Sequence, residues 1–88
     1  MKVQNMTSNS SGREVANQFI IYGDDETSFQ SYDTVIATKR GGKIYLDEEM
    51  WDYSRTTGRY RNQFLRETKK ETERKIKVGI YILTNLNK

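Results

Sequence analysis

Hydrophobic residues in this chain change their spacing once, near Trp51. Before it they fall in short β-prone runs, and after it they recur at helical intervals until a last β-prone run, Ile80 to Leu83. Asn17 to Tyr22, N-Q-F-I-I-Y, is rich in β-branched and aromatic residues and predicts a strand. Gly23 to Thr27 supplies the Gly and Asp chemistry of a turn. A second strand begins near Ser28 and carries Phe29. Phe29 is out of phase with Tyr32 and Ile36, so a bulge or corner is expected near Ser31 to Asp33. Asp33 to Lys39 then reads as a third strand segment, either separate from the second or continuous with it. Gly41 and Gly42 sit between β-prone runs, as a two-residue hairpin requires, because its primed turns need positive φ. Ile44 to Asp47 is the returning strand.

From Tyr53 onward the period becomes helical. Tyr53, Thr57, Tyr60 and Phe64 fall on one face with Leu65 beside them, which predicts a helix over Ser54 to Arg66. Ser54, Thr56 and Thr57 are N-cap residue types, and Trp51 stands just ahead of them to clamp the helix onto a core. Arg55, Arg59, Asn62 and Arg66 fall off the apolar face. Gly58 weakens such a helix by about 1 kcal/mol relative to alanine, unless a second backbone approaches there. Thr68-Lys69-Lys70-Glu71 has the form of a capping box and starts a second helix over Lys69 to Lys77, with Gly79 placed to end it. Ile80 to Leu83 closes the chain as a strand. The expected fold is α+β: a small antiparallel sheet in ββββ-α-α-β order, with two helices on one face. Residues 1–16 lack periodicity and are rich in Ser and Asn, so they are expected to form a flexible tail ahead of a single domain over residues 17–88.

Composition narrows the chemistry. Histidine and cysteine are both absent. That removes the usual general base, the usual zinc ligands and every thiol or Ser-His nucleophile, so an enzyme is not expected and no cofactor or metal is implied. The acidic clusters Asp24-Asp25-Glu26 and Asp47-Glu48-Glu49 have no calcium-loop spacing and read as turns. No run of residues is long and apolar enough for a membrane span, so membrane is excluded as a partner and the cytoplasm of a host cell is the expected location. Charge is divided along the chain. Residues 1–52 hold five Lys/Arg against nine Asp/Glu, and residues 53–88 hold ten against three. Such a split either steers an anionic partner to one side or lets the two halves attract each other.

The candidate binding residues follow from that split. Arg55, Arg59, Arg61, Arg66, Lys69 and Lys70 form a basic series with Tyr53 and Tyr60 interleaved, a pattern that can contact phosphates and stack on bases. Of these, Arg55, Arg59, Arg61, Lys69, Lys70 and Tyr53 are the residues on which partner binding is placed. The competing reading is a solvated basic helix face. Tyr53 to Thr57 also has the composition of a phosphate cradle at a helix N-terminus, although ordinary capping explains the same hydroxyls.

Phe29-Gln30-Ser31-Tyr32, Ile36-Ala37, Trp51-Asp52-Tyr53-Ser54 with Thr56-Thr57, Tyr60-Arg61 and Phe64-Leu65 resemble a family of small proteins of unknown function. Its members occur in bacteriophages and mobile elements of mostly Gram-positive hosts. The run Lys69 to Ile76 fits the same pattern, except that Thr72 stands where a larger apolar residue is expected. The likeness covers roughly Asn17 to Leu86. It implies a phage-type context and no reaction. The resulting expectation is a phage-encoded accessory protein that binds and inhibits a host protein or ribonucleoprotein, such as an anti-CRISPR acting on a nuclease-based defence. The alternative is a non-specific nucleic-acid-binding protein of phage replication or regulation. A third reading is a symmetric homo-oligomer that pairs a sheet edge.

Overall fold

A computed structural model describes residues 1–88. Six strands form one sheet in sequential order: β1 (Lys2–Thr7), β2 (Glu14–Tyr22), β3 (Glu26–Ser31), β4 (Thr34–Arg40), β5 (Lys43–Asp47) and β6 (Tyr81–Thr84). Two helices, α1 (Arg55–Leu65) and α2 (Lys69–Lys77), lie between β5 and β6. This corrects the expected small antiparallel sheet in two respects. The sheet has six strands, and it is mixed, because β6 pairs parallel to β5. Parallel neighbours need a long crossover connection, and the segment that carries α1 and α2 supplies it.

The extra strand comes from the residues expected to be a tail. Lys2–Thr7 pairs with β2, which starts at Glu14 rather than Asn17. The Ser-rich stretch between them is a hairpin loop: Ser8 N–H donates to Arg13 O at 2.8 Å and Gly12 N–H to Ser8 O at 2.8 Å. Only Met6 anchors β1 in the core, so the pattern carries one apolar signal where a strand usually carries several. The phase break after Phe29 has two causes. A register shift lies between Phe29 and Gln30, and Tyr32-Asp33 turns the chain, so β3 and β4 form a hairpin rather than one strand. Gly41 and Gly42 both have positive φ, joining Arg40 to its pairing partner Lys43 as a primed turn demands.

Both helices begin as their caps direct. Ser54 Oγ accepts from Thr57 N–H at 3.1 Å, and Thr68 and Glu71 close a reciprocal capping box. The core holds Met6, Phe29, Ile36, Ala37, Leu46, Tyr60, Phe64, Leu65 and Tyr81, with Trp51 packed against it. Phe29 and Phe64 meet with ring centroids 5.9 Å apart. Tyr53, expected on the buried helix face, is 67% exposed because it precedes the cap and has left the helical path. Thr72 is fully buried and works as a polar core residue. Its hydroxyl donates to Glu67 Oε2 at 2.6 Å, and Lys75 Nζ and Tyr81 OH each donate to Glu67 Oε1 at 2.7 Å. This cluster fastens the α1–α2 turn to α2 and β6.

Two helices, each about 10 Å across, do not cover six strands spaced about 4.8 Å apart. α1 packs on β3 and α2 on β6. The helix-side face of β1 and β2 therefore projects beyond α1, which reaches β1 at Thr7, whose carbonyl accepts from Gln63 Nε2 at 2.7 Å.

Candidate functional site

The uncovered part of the sheet and the flank of α1 enclose a basin of about 1300 Å³. Its floor carries Ile20, Tyr22, Thr27 and Lys39, and the register sets the last three side by side on β2, β3 and β4. Its wall is the face of α1 that carries Arg55, Gly58, Arg59, Asn62, Gln63 and Arg66. Lys69 and Asp52 stand at one side of it. Six cations thus line one concavity against a single carboxylate.

These cations differ in how far they are committed. Arg55, Arg59 and Arg66 are exposed and form no ion pair. Lys69 Nζ lies 2.7 Å from Asp52 Oδ2, a hydrogen bond that raises its pKa. Burial pushes the Asp52 carboxyl upward, but the hydrogen bonds from Lys69 and Arg61 outweigh it and hold the group below its usual range. Lys39 donates to Phe64 O at 3.0 Å and sits 4.4 Å from the Phe64 ring centroid. Burial, and then repulsion from Arg66, depress its pKa against a smaller opposing pull from Glu67. Arg66 takes a left-handed conformation at the C-cap of α1, with φ 58 and ψ 47. Glycine is the usual residue there, since a side chain at that φ costs free energy.

Of the six residues expected to bind a partner, Arg55, Arg59 and Lys69 line the basin as accessible cations. Tyr53 and Lys70 are exposed elsewhere and do not line it. Arg61 is brought to the basin but only 1% of it is accessible. Its Nη1 donates to Trp51 O at 2.8 Å and to Asp52 Oδ1 at 3.1 Å, and its Nη2 to Asn62 Oδ1 at 2.9 Å. The guanidinium also lies 5.2 Å from the Trp51 ring. Arg61 is thus a structural cation that ties Trp51-Asp52 to α1, which corrects its assignment as a binding residue. Helical spacing contained the reason: position 61 is four after Thr57 and three before Phe64, on the buried stripe. Gly58 lies against this same group. A Cβ there would meet the Arg61 guanidinium at 3.6 to 3.8 Å, so its close neighbour is a side chain and not a backbone. Lys39 was the residue missed. Its signal was a charge two positions from Ala37, on the strand face that enters the core.

Two hydroxyls of the Tyr53 to Thr57 segment, those of Ser54 and Thr57, are in structural use. Ser54 caps α1, and Thr57 Oγ1 shares a 3.0 Å hydrogen bond with Ser31 Oγ in the interior. At the other end of the sheet, Asp33, Asp47, Glu48 and Glu49 line a smaller hollow of about 340 Å³ with Asn85 and Asn87. Asp47 is buried. Its Oδ2 accepts from the backbone of Glu49 and Met50, and its Oδ1 accepts from Leu86 N–H and Asn87 Nδ2. That carboxylate organises the turn after β5 and the C-terminal segment. No three carboxylates converge on a common point.

No helix is long and apolar enough to cross a membrane. No curated protein and no solved structure matches this chain. A family model does, and it takes in β1 and the hairpin loop that the sequence resemblance left out. It matches residues 1–79, and the chain belongs to this family of unknown function, DUF8033.

Proposed function

We propose that this chain is a non-catalytic accessory protein of phage type, and that it acts by binding an anionic macromolecule, a nucleic acid, in the basin beside α1. The carrying observation is that, with the buried Arg61 set aside, five cations stand against one carboxylate in a single concavity, three of them unpaired arginines. A solvated helix face would have no need of a wall and a floor. The strained conformation of Arg66 supports the reading, because it keeps a cation where stability alone favours glycine. A non-catalytic role agrees with the absence of His and Cys and with the structural use of Asp47 and Glu67. The test is fluorescence anisotropy of a labelled oligonucleotide against salt. With about four phosphates neutralised, affinity falls ten- to a hundredfold between 50 and 200 mM salt. Reversing Arg55, Arg59 and Arg66 to Glu abolishes binding. Salt-independent binding, or full binding by the triple variant, refutes the reading.

The division of charge favours a second reading, in which the chain inhibits a host factor such as a nuclease-based defence by binding it. The basic residues gather on the helical half and the acidic ones in the strand-bearing half, mostly in its turns. Affinity capture from host lysate separates the two. A specific protein partner that survives nuclease treatment supports inhibition, and loss of every partner supports nucleic-acid binding.

A further inference from the structure

The basin has unlike sides, and the difference concerns which form of nucleic acid it takes. On the helix wall stand Arg55, Arg59 and Arg66, which α1 spaces along its axis by about 6 and 10 Å. The floor carries apolar and aromatic surface beside Thr27 and Lys39. Tyr22 is 38% exposed and Ile20 is half-buried, and both lie on the portion of the sheet that no helix covers. The turn that follows Tyr22 carries Asp24 and Asp25, and Glu26 at the start of β3 pairs with Arg40. Phosphates are attracted to the wall and repelled from that edge of the floor.

We infer that the basin holds a single strand, with its phosphates on Arg55, Arg59 and Arg66 and a base stacked on Tyr22. This rests on the nucleic-acid reading above. A single strand meets both sides at once, because its backbone and its bases point in different directions and every base offers a π-face. A duplex does not. Its bases are stacked on one another inside, so their faces are covered and only phosphates, sugars and base edges are offered to the basin. A duplex would touch the rim arginines and leave Tyr22 unused.

The experiment compares a labelled oligothymidine, a duplex of equal length and inorganic polyphosphate as competitor, with wild type, Tyr22→Ala, Tyr22→Phe and Arg59→Ala. The single strand is expected to bind at least tenfold tighter than the duplex. Tyr22→Ala should lose about tenfold for the single strand, leave the salt slope unchanged and bind the duplex as wild type does. Tyr22→Phe, which keeps the ring, should retain affinity, as a merely structural loss would not predict. Arg59→Ala should lower the salt slope by about 0.7. Equal binding of duplex and single strand, or no effect of Tyr22→Ala, overturns the strand inference. In that case salt-dependent binding displaced by polyphosphate still leaves the anionic basin standing. Failure of all three probes to bind removes both.

Discussion

Removing the Glu67 carboxylate tests how the turn that carries Arg66 and Lys69 is held. Glu67 has only 4% of its side chain accessible and accepts from Thr72, Lys75 and Tyr81. Burial alone would raise its pKa, but those three hydrogen bonds outweigh burial and keep it below its ordinary value. In Glu67→Ala the partners fare differently. Lys75 turns back to water. Thr72 falls back on Thr68 O, already 3.2 Å away. Tyr81, with 5% exposure, loses the carboxylate to which its hydroxyl donates. An orphaned buried hydroxyl costs about 1–3 kcal/mol and the weakened Thr72 bond about 1 kcal/mol. The expected loss is therefore about 2–4 kcal/mol, a large share of the 5–15 kcal/mol typical of whole domains. Urea denaturation monitored at Trp51 measures it, and Tm should fall by on the order of 10–20 °C. Adding Tyr81→Phe to Glu67→Ala removes the orphan and should restore about 1 kcal/mol. A loss below about 1 kcal/mol, or no recovery in the double variant, would show that the cluster does not hold α2 to β6.

The pH response has a definite sign. Asp52, Glu67 and Glu71 all have depressed carboxyl pKa values, so the stability they contribute is complete above their unfolded values, 3.8 for Asp and 4.5 for Glu, and is lost as pH falls through the lower folded values. Thermal melts should be flat near neutrality and decline below about pH 4.5, and Glu67→Gln should flatten that decline. Arg66→Gly should raise stability by about 1 kcal/mol by relieving the left-handed residue, yet weaken oligonucleotide binding; a destabilised variant would contradict the strain assigned to it. Met6→Ala should cost about 2–3 kcal/mol in urea denaturation, whereas a disordered N-terminus would make it silent.

Local signals read true where residues interact with near neighbours. The Gly41-Gly42 turn, the Ser54 cap and the Thr68/Glu71 capping box each act within a few residues, and each stands where its chemistry demands. Charge was legible in the same way, since Arg55, Arg59 and Lys69 are accessible on the helical segment. Pairing across distance was not. β1 offers one buried apolar residue and exists because β2 supplies its hydrogen bonds, a partnership that composition cannot express. The parallel direction of β6 likewise follows from where two helices return the chain.

Partnerships of single side chains also waited on the tertiary structure. Arg61 and Arg59 are two residues apart and chemically identical, but a helix turns 100° per residue, which puts one against Trp51 and Asp52 and the other over the basin. Thr72 reads as a flaw in an apolar stripe until Glu67 and Tyr81 are brought to it. Lys39 and Tyr22 join the arginines only because two antiparallel registers align β2, β3 and β4 beside α1. The sequence by itself determined the caps, turns, helix spans and the sign of the charge, because these depend on local backbone geometry and residue type. The number and direction of strands, the burial of Arg61 and the shape of the basin were decided by packing, because each depends on which distant residue arrives to complete it.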